Sequence, residues 1–201
     1  MKFTSPNYWN QLYKEKETRW DTGRATPILI EYLNKNKFTG RVCVLGCGNG
    51  YDATELAERG ADVYAVDFAV EALNNLKTRC SERSLSINLI QEDIFNLPDI
   101  YSDYFDMVFE YTSFCAIDPE RREEYFDVAH KIMKNNATLF GIFLPIGEPK
   151  HNPEGPPFGV TVKEIKSLTK NLFDCTEEYF SELSFEARKD REKVMILKKY
   201  R

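Results

Sequence analysis

Residues 42–52 read Val-Cys-Val-Leu-Gly-Cys-Gly-Asn-Gly-Tyr-Asp, and this stretch limits the fold more than any other part of the chain. Four apolar, strand-forming residues run directly into glycines at positions 46, 48 and 50. Ala53, Leu56 and Ala57 then recur on one helical face. The pattern predicts a strand, a tight turn and a helix start. In α/β sheets such a turn lies at the carboxyl end of a strand, where nucleotide-like ligands bind. Glycine allows positive φ there and lets a ligand approach backbone that a Cβ would shield. The spacing is Gly-x-Gly-x-Gly, so the third glycine falls one residue short of the dinucleotide fingerprint. That leans away from a nicotinamide enzyme.

Further strands are predicted over Asp62 to Asp67, Ile87 to Gln91, Phe105 to Glu110, Ala137 to Leu144 and Val194 to Leu197. Helices alternate with them. Val70, Leu73, Leu76 and Cys80 form one buried stripe, and Tyr125, Val128, Ala129 and Ile132 another, in a helix that starts at Asp118-Pro119. Thr161 to Glu164 reads as a capping box opening a helix after a proline- and glycine-rich loop at 145–159. Aromatic and polar residues alternate around Tyr179, Phe180, Leu183 and Phe185 before the last strand. The whole is an α/β chain with one doubly wound, mostly parallel sheet and an antiparallel element at its end. Before the first strand come two helix openings, Ser5-Pro6 and Thr26-Pro27, the second with a stripe of Ile28, Leu29, Tyr32 and Leu33. This extension carries Trp9, Tyr13 and Trp20, which either cap the core or wall a ligand site.

A length of 201 residues suits a single domain, and 42% hydrophobic with 29% charged residues suits a soluble globular one. A net charge of −5 without any long Lys/Arg run gives no electrostatic footprint for nucleic acid. No apolar run has membrane length, and the polar, aromatic first ten residues have no signal-peptide core. Five cysteines form no Cys-x-x-Cys pair; Cys43 and Cys47, flanking the turn, read as small core residues. A reducing cytoplasm is the expected compartment and a monomer the expected state. With only His130 and His151, no metal site is expected, and His130 reads as a structural or surface residue.

Three strand ends carry ligand-type groups: the glycine turn, Asp67, and Asp93 with Ile94. Asp67 stands where nucleotide folds place a carboxylate for ribose hydroxyls, though it also suits an N-cap of the next helix. No phosphate-binding Lys-Ser/Thr element accompanies the turn. Adenosine attached to a positive centre therefore fits better than a pyrophosphate, and S-adenosylmethionine is such a molecule. Its sulfonium would favour the rings of Trp9, Tyr13 and Trp20 by roughly 0.5–2 kcal/mol each through cation–π attraction.

The glycine turn resembles motif I of class I methyltransferases. It is accompanied by the pairing of residues 8–13 with Trp-Asp-Thr-Gly-Arg-Ala-Thr-Pro at 20–27, the segment 109–117 ending in Phe-Cys-Ala-Ile, and Gly-Pro-Pro-Phe at 155–158. Of these, the Trp-Asp-Thr-Gly-Arg-Ala-Thr-Pro and Phe-Cys-Ala-Ile stretches are much more specific than the turn. Together they resemble the thiopurine methyltransferase superfamily, closest to its thiol/halide/thiocyanate branch, over roughly residues 9–162. The resemblance implies a seven-stranded Rossmann-like sheet, one domain spanning 1–201, and a helical cap at 1–38 over the cofactor site. It implies that Trp9, Tyr13 and Trp20 wall S-adenosylmethionine, that Gly46 and Gly48 line its methionine part and that Asp67 holds the ribose. Asp93 and Ile94 would flank the adenine, with Tyr111 near the donor methyl and Phe114 and Phe158 toward a small-molecule acceptor. Tyr13 stands where that branch usually has tryptophan, and Phe158 where it commonly has a tyrosine facing the substrate; the missing hydroxyl favours a thiol over a halide.

A soft anion such as a thiolate attacks a sulfonium methyl in line without a strong base, and the chain offers no evident dyad or triad. Cys115 reads as a core or pocket-lining residue rather than a nucleophile. The loop 145–159 is the candidate lid. The competing expectation is a methyltransferase-like protein that binds the cofactor without turnover.

Overall fold

The computed structural model describes residues 3–147 and 155–200. Two helices, α1 (Pro6–Glu15) and α2 (Pro27–Lys35), precede an alternating series. It runs β1 (Arg41–Leu45), α3 (Tyr51–Glu58), β2 (Asp62–Asp67), α4 (Val70–Arg83), β3 (Asn88–Gln91), α5 (Leu97–Ile100), β4 (Phe105–Tyr111), α6 (Arg122–Ile132) and β5 (Met133–Phe143). Then come α7 (Val162–Thr169), β6 (Phe173–Phe180) and β7 (Lys193–Lys199). One seven-stranded sheet results, in the order β3-β2-β1-β4-β5-β7-β6. The first five strands pair in parallel, and β7 runs antiparallel between β5 and β6.

Both faces of the sheet are covered, as parallel strands require. Along β1 the side chains alternate: Cys43 and Leu45 join a core with α6 and α7, whereas Val42 and Val44 pack toward α2, α3 and α4. The strand order reverses between β1 and β4, the crevice where open α/β sheets bind ligands. Register brings the strand tips level. Leu45 pairs with Val66 and with Glu110, so Gly46, Asp67 and Tyr111 emerge side by side.

The local signals explain most boundaries. Ser5 Oγ accepts from the Asn7 amide at 3.3 Å, with Pro6 in the first turn of α1. Gly50 caps α3 at φ 75°, and a Cβ there would lie 2.3 Å from a Leu76 methyl, so the third glycine of the turn is needed for packing as well as for conformation. Thr26 makes no side-chain cap; its amide instead donates to Asp52 Oδ1 at 2.8 Å, tying the start of α2 to the start of α3.

Some expectations needed correction. Thr161 accepts the Glu164 amide at 3.1 Å, but Glu164 does not complete a reciprocal box. Its carboxylate pairs with the buried Arg122 at 2.7 Å. The strand expected from Ala137 begins at Met133, directly after α6, with Asn136 at φ 64°. Leu183 and Phe185 lie beyond β6.

Candidate functional site

A cavity of about 680 Å³ opens at the carboxyl ends of β1, β2 and β4, within the range of small-molecule and cofactor sites. Its floor is the glycine turn. Gly46 has φ 57°, and a Cβ on it would sit 2.7 Å from Ser113 Oγ, so a side chain there would collide with the segment after β4. The Gly48 amide donates to Asp67 Oδ2 at 3.0 Å, while Asp67 Oδ1 accepts from Ala69 at 2.9 Å. Asp67 therefore stabilises the turn into α4; the N-cap itself is Ala69. The carboxylate is 7% exposed, and burial pushes its pKa up to about 6 against the pull of its backbone donors. Each oxygen keeps a further lone-pair direction for a hydroxyl donor.

The N-terminal extension forms the opposite wall. Trp9, Tyr13 and Trp20 all line the cavity and pack edge to face, Trp20 standing 5.2 Å from Trp9 and 5.7 Å from Tyr13 between ring centroids. The Trp20 indole N–H lies 3.4 Å from the Tyr13 hydroxyl. Side-chain bonds hold this wall over the turn. Asp21 accepts from Asn49 of the turn and from the Gly23 amide, and Asn10 accepts from the Glu71 amide on α4 at 3.1 Å. The motif at 20–27 is thus a strap across the glycine turn.

Asp93 and Ile94 line the cavity beyond β3, with Asp93 Oδ1 capping its own turn through the Phe95 amide at 3.1 Å. Tyr111 lines the end of β4. Its neighbours were not foreseen. The Tyr111 hydroxyl donates to Glu192 at 2.7 Å, and the Arg188 guanidinium donates to the Tyr111 oxygen at 2.5 Å and to the Trp20 carbonyl at 2.5 Å. Arg188, Arg191 and the half-buried Asp52 line this same part of the wall, and burial lifts the Asp52 carboxyl to about 7. An arginine in a polar C-terminal turn carries no periodicity, so nothing in the local sequence distinguished Arg188 from other surface cations.

Phe114 and Phe158 are placed elsewhere. Phe114 is 1% exposed and packs against Tyr125, Phe126 and Phe143 in the core. Phe158 is buried against Phe3, its amide donating to the Cys115 carbonyl at 2.8 Å and its carbonyl accepting from Arg122. Neither is among the cavity-lining residues; Pro156 and Pro157 are, together with Phe3 and Cys115. Phe114 is taken up by core packing, whereas Phe158 backs Phe3 at the edge of the cavity. Cys47 packs against the core as expected and also lines the cavity beside Gly48. Cys115 lines the cavity with its thiol against the Thr112 carbonyl at 3.1 Å; burial raises its pKa to about 12, which keeps it a thiol. His130 packs on Phe173 at 5.6 Å, apart from the cavity. His151 and the middle of the 145–159 loop lie outside the described residues.

A glycine-floored crevice at the β1/β4 switch point, with an acid at the tip of β2, is the nucleoside-binding layout of doubly wound α/β folds, the class I S-adenosylmethionine-dependent methyltransferases among them. A structure of Burkholderia thailandensis 1,6-didemethyltoxoflavin-N1-methyltransferase with bound 1,6-didemethyltoxoflavin and S-adenosylhomocysteine superposes with a TM-score of 0.78 at 17% identity, covering 98% of this chain and 87% of that one. The model of the thiopurine S-methyltransferase (TPMT) family matches residues 4–199, and the chain belongs to that family. Thiocyanate methyltransferase 1 of Arabidopsis thaliana is 28% identical over 95% of this chain and 84% of its own length. Probable thiol methyltransferase 2 of the same plant is 29% identical over 99% and 88%. No helix among the described residues is long and apolar enough to cross a membrane.

Proposed function

We propose that this protein transfers the methyl group of S-adenosylmethionine to a small soft anion, a thiolate above all. One observation carries the reading: a guanidinium, Arg188, stands in the wall of the cofactor cavity beside Tyr111, tied to the ring-bearing strap through the Trp20 carbonyl. The names of the plant relatives support the same acceptor class.

When bound, the cofactor supplies an electrophilic methyl on a sulfonium. Gly46 and Gly48 are assigned its methionine part, Asp67 the ribose, and Asp93 with Ile94 the adenine. Trp9, Tyr13 and Trp20 cover the site, exclude water and favour the positive centre through their ring faces. Tyr111 stands nearest the transferred group. Arg188 attracts the acceptor anion and favours its ionised form, so no protein base has to remove the proton. Alignment and desolvation then supply most of the acceleration. The whole chain acts as one methyltransferase unit with residues 1–38 as its cap. It works as a monomer without nucleic acid, and five free thiols suit a reducing cytoplasm.

Thermal shift with S-adenosylhomocysteine and NAD side by side tests the cofactor: only the former should stabilise the protein. Turnover is then measured on hydrogen sulfide, aliphatic and aromatic thiols, thiocyanate, iodide and a thiopurine. The highest kcat/KM should fall on a thiol. Tight S-adenosylhomocysteine binding with no turnover on any of these acceptors would sink the proposal.

A further inference from the structure

Glu192 stands one residue before β7 and is 0% exposed. A buried carboxylate is costly unless compensated, and even a well-paired one adds little net stability. Here the compensation comes from the cavity wall. The Tyr111 hydroxyl donates to Glu192 Oε1 at 2.7 Å, and Arg188 Nη1 lies 3.6 Å from the same oxygen. Among the described residues Glu192 Oε2 has no hydrogen-bond partner. Arg188 Nη1 also donates to the Tyr111 oxygen, and its guanidinium carbon is 5.1 Å from the ring centroid.

A phenol has a single proton to donate. With that O–H donated to Glu192 and one oxygen lone pair taken by Arg188, Tyr111 has no O–H left to offer the cavity. This matters for a thiolate attacking a sulfonium, because the charge on both reactants shrinks on the way to the transition state. A hydrogen bond donated to the thiolate is stronger in the ground state than in the transition state, so it slows the reaction. We propose that Glu192 is a positioning residue acting through Tyr111: it takes the phenolic proton away from the acceptor and fixes the Tyr111 ring and Arg188 in one arrangement. The inference rests on the methyl-transfer reading above.

The test is a double-mutant cycle on the full-length protein with S-adenosylmethionine and, as acceptors, hydrogen sulfide and an aliphatic thiol. In Glu192→Gln a neutral amide oxygen replaces the carboxylate, so the phenolic O–H is held less strongly and can turn to the acceptor. We expect kcat to fall about tenfold while the acceptor KM stays equal or drops, the mark of a stabilised ground state. Loss of structure alone would raise KM. In a Tyr111→Phe background, which has no proton to release, Glu192→Gln should change kcat by less than twofold. If Glu192→Gln does not fold, Glu192→Asp enters the same cycle, with a smaller fall that again vanishes beside Tyr111→Phe. Wild-type kcat in the single variant, or an equal fall in both backgrounds, overturns the assignment. A wild-type protein that binds S-adenosylhomocysteine but turns over no thiol overturns the functional reading instead, and this inference falls with it.

Discussion

At the glycine turn the wall of the cavity is backbone: three glycines at φ 57°, 53° and 75°, within five residues, held by a carboxylate that ends the adjacent strand. At the far end of β4 the wall is side chains: Tyr111, Arg188 and Glu192 meet across separations of 77 and 81 residues, and Arg188 reaches the Trp20 carbonyl across 168. The first region tolerates few substitutions because φ and close approach leave no room. The second is a polar cluster in which identity, charge and proton position decide the outcome. A cofactor common to many enzymes suits the first construction, and an acceptor particular to one suits the second.

That contrast can be broken by experiment. The largest effect is expected at the side-chain end. Arg188→Met should lower kcat/KM for thiols by about tenfold or more, because the acceptor loses the neighbouring positive charge that attracts it and favours its ionised form. S-adenosylhomocysteine affinity by calorimetry should change far less; equal losses in both would merge the two regions into one. Asp67→Ala attacks the backbone end and should weaken S-adenosylhomocysteine binding about ten- to thirtyfold by removing charged hydrogen bonds. Unchanged affinity would remove Asp67 from the site.

Protonation gives a finer probe of the same carboxylate. Its pKa of about 6 in the free protein means that most of it is ionised at pH 7 and little at pH 5. Affinity for S-adenosylhomocysteine should drop by nearly tenfold between those values and should be flat over that range in Asp67→Asn. A steep drop surviving in the variant would point to another group.

Stability should move the other way with pH. Asp52, Asp67 and Glu110 have folded pKa values of about 7, 6 and 7, all above their ordinary values of 3.8, 3.8 and 4.5. A carboxylate whose pKa is raised by folding binds its proton more tightly in the native state, so stability is lost as pH rises through the window from about 4 to 7. His130, with its pKa lowered by burial, opposes this, but it is a single, half-buried group. The urea midpoint should therefore be higher at pH 5.5 than at pH 8; the reverse order would show that these carboxylates are better solvated than their burial implies. The smallest effect is expected at His130→Ala, which should leave acceptor and cofactor kinetics within twofold, since that ring packs on Phe173 outside the cavity.

Much of this was legible in the chain itself. The periodicity of apolar residues, the glycine spacing and the acid at Asp67 determined an α/β sheet and the place of its ligand crevice, because strand alternation, positive φ and strand-end carboxylates are local properties. The ring-bearing motifs at 9–27 added the wall, and all of Trp9, Tyr13 and Trp20 line the cavity. Aromatic residues after β4 were ambiguous, since core and pocket demand the same apolar surface. Only packing assigned Phe114 to the interior, set Phe158 against Phe3 and gave Cys47 a place on both the core and the wall. Tertiary structure alone decided the polar cluster proposed to face the acceptor. Arg188 and Glu192 lie in a turn without periodicity, and their meaning comes from a strand order that carries the end of the chain back beside β5, next to the tip of β4. The sequence specifies where the glycine-floored crevice forms because that depends on neighbours in the chain; the polar cluster at the tip of β4 depends on neighbours in the sheet.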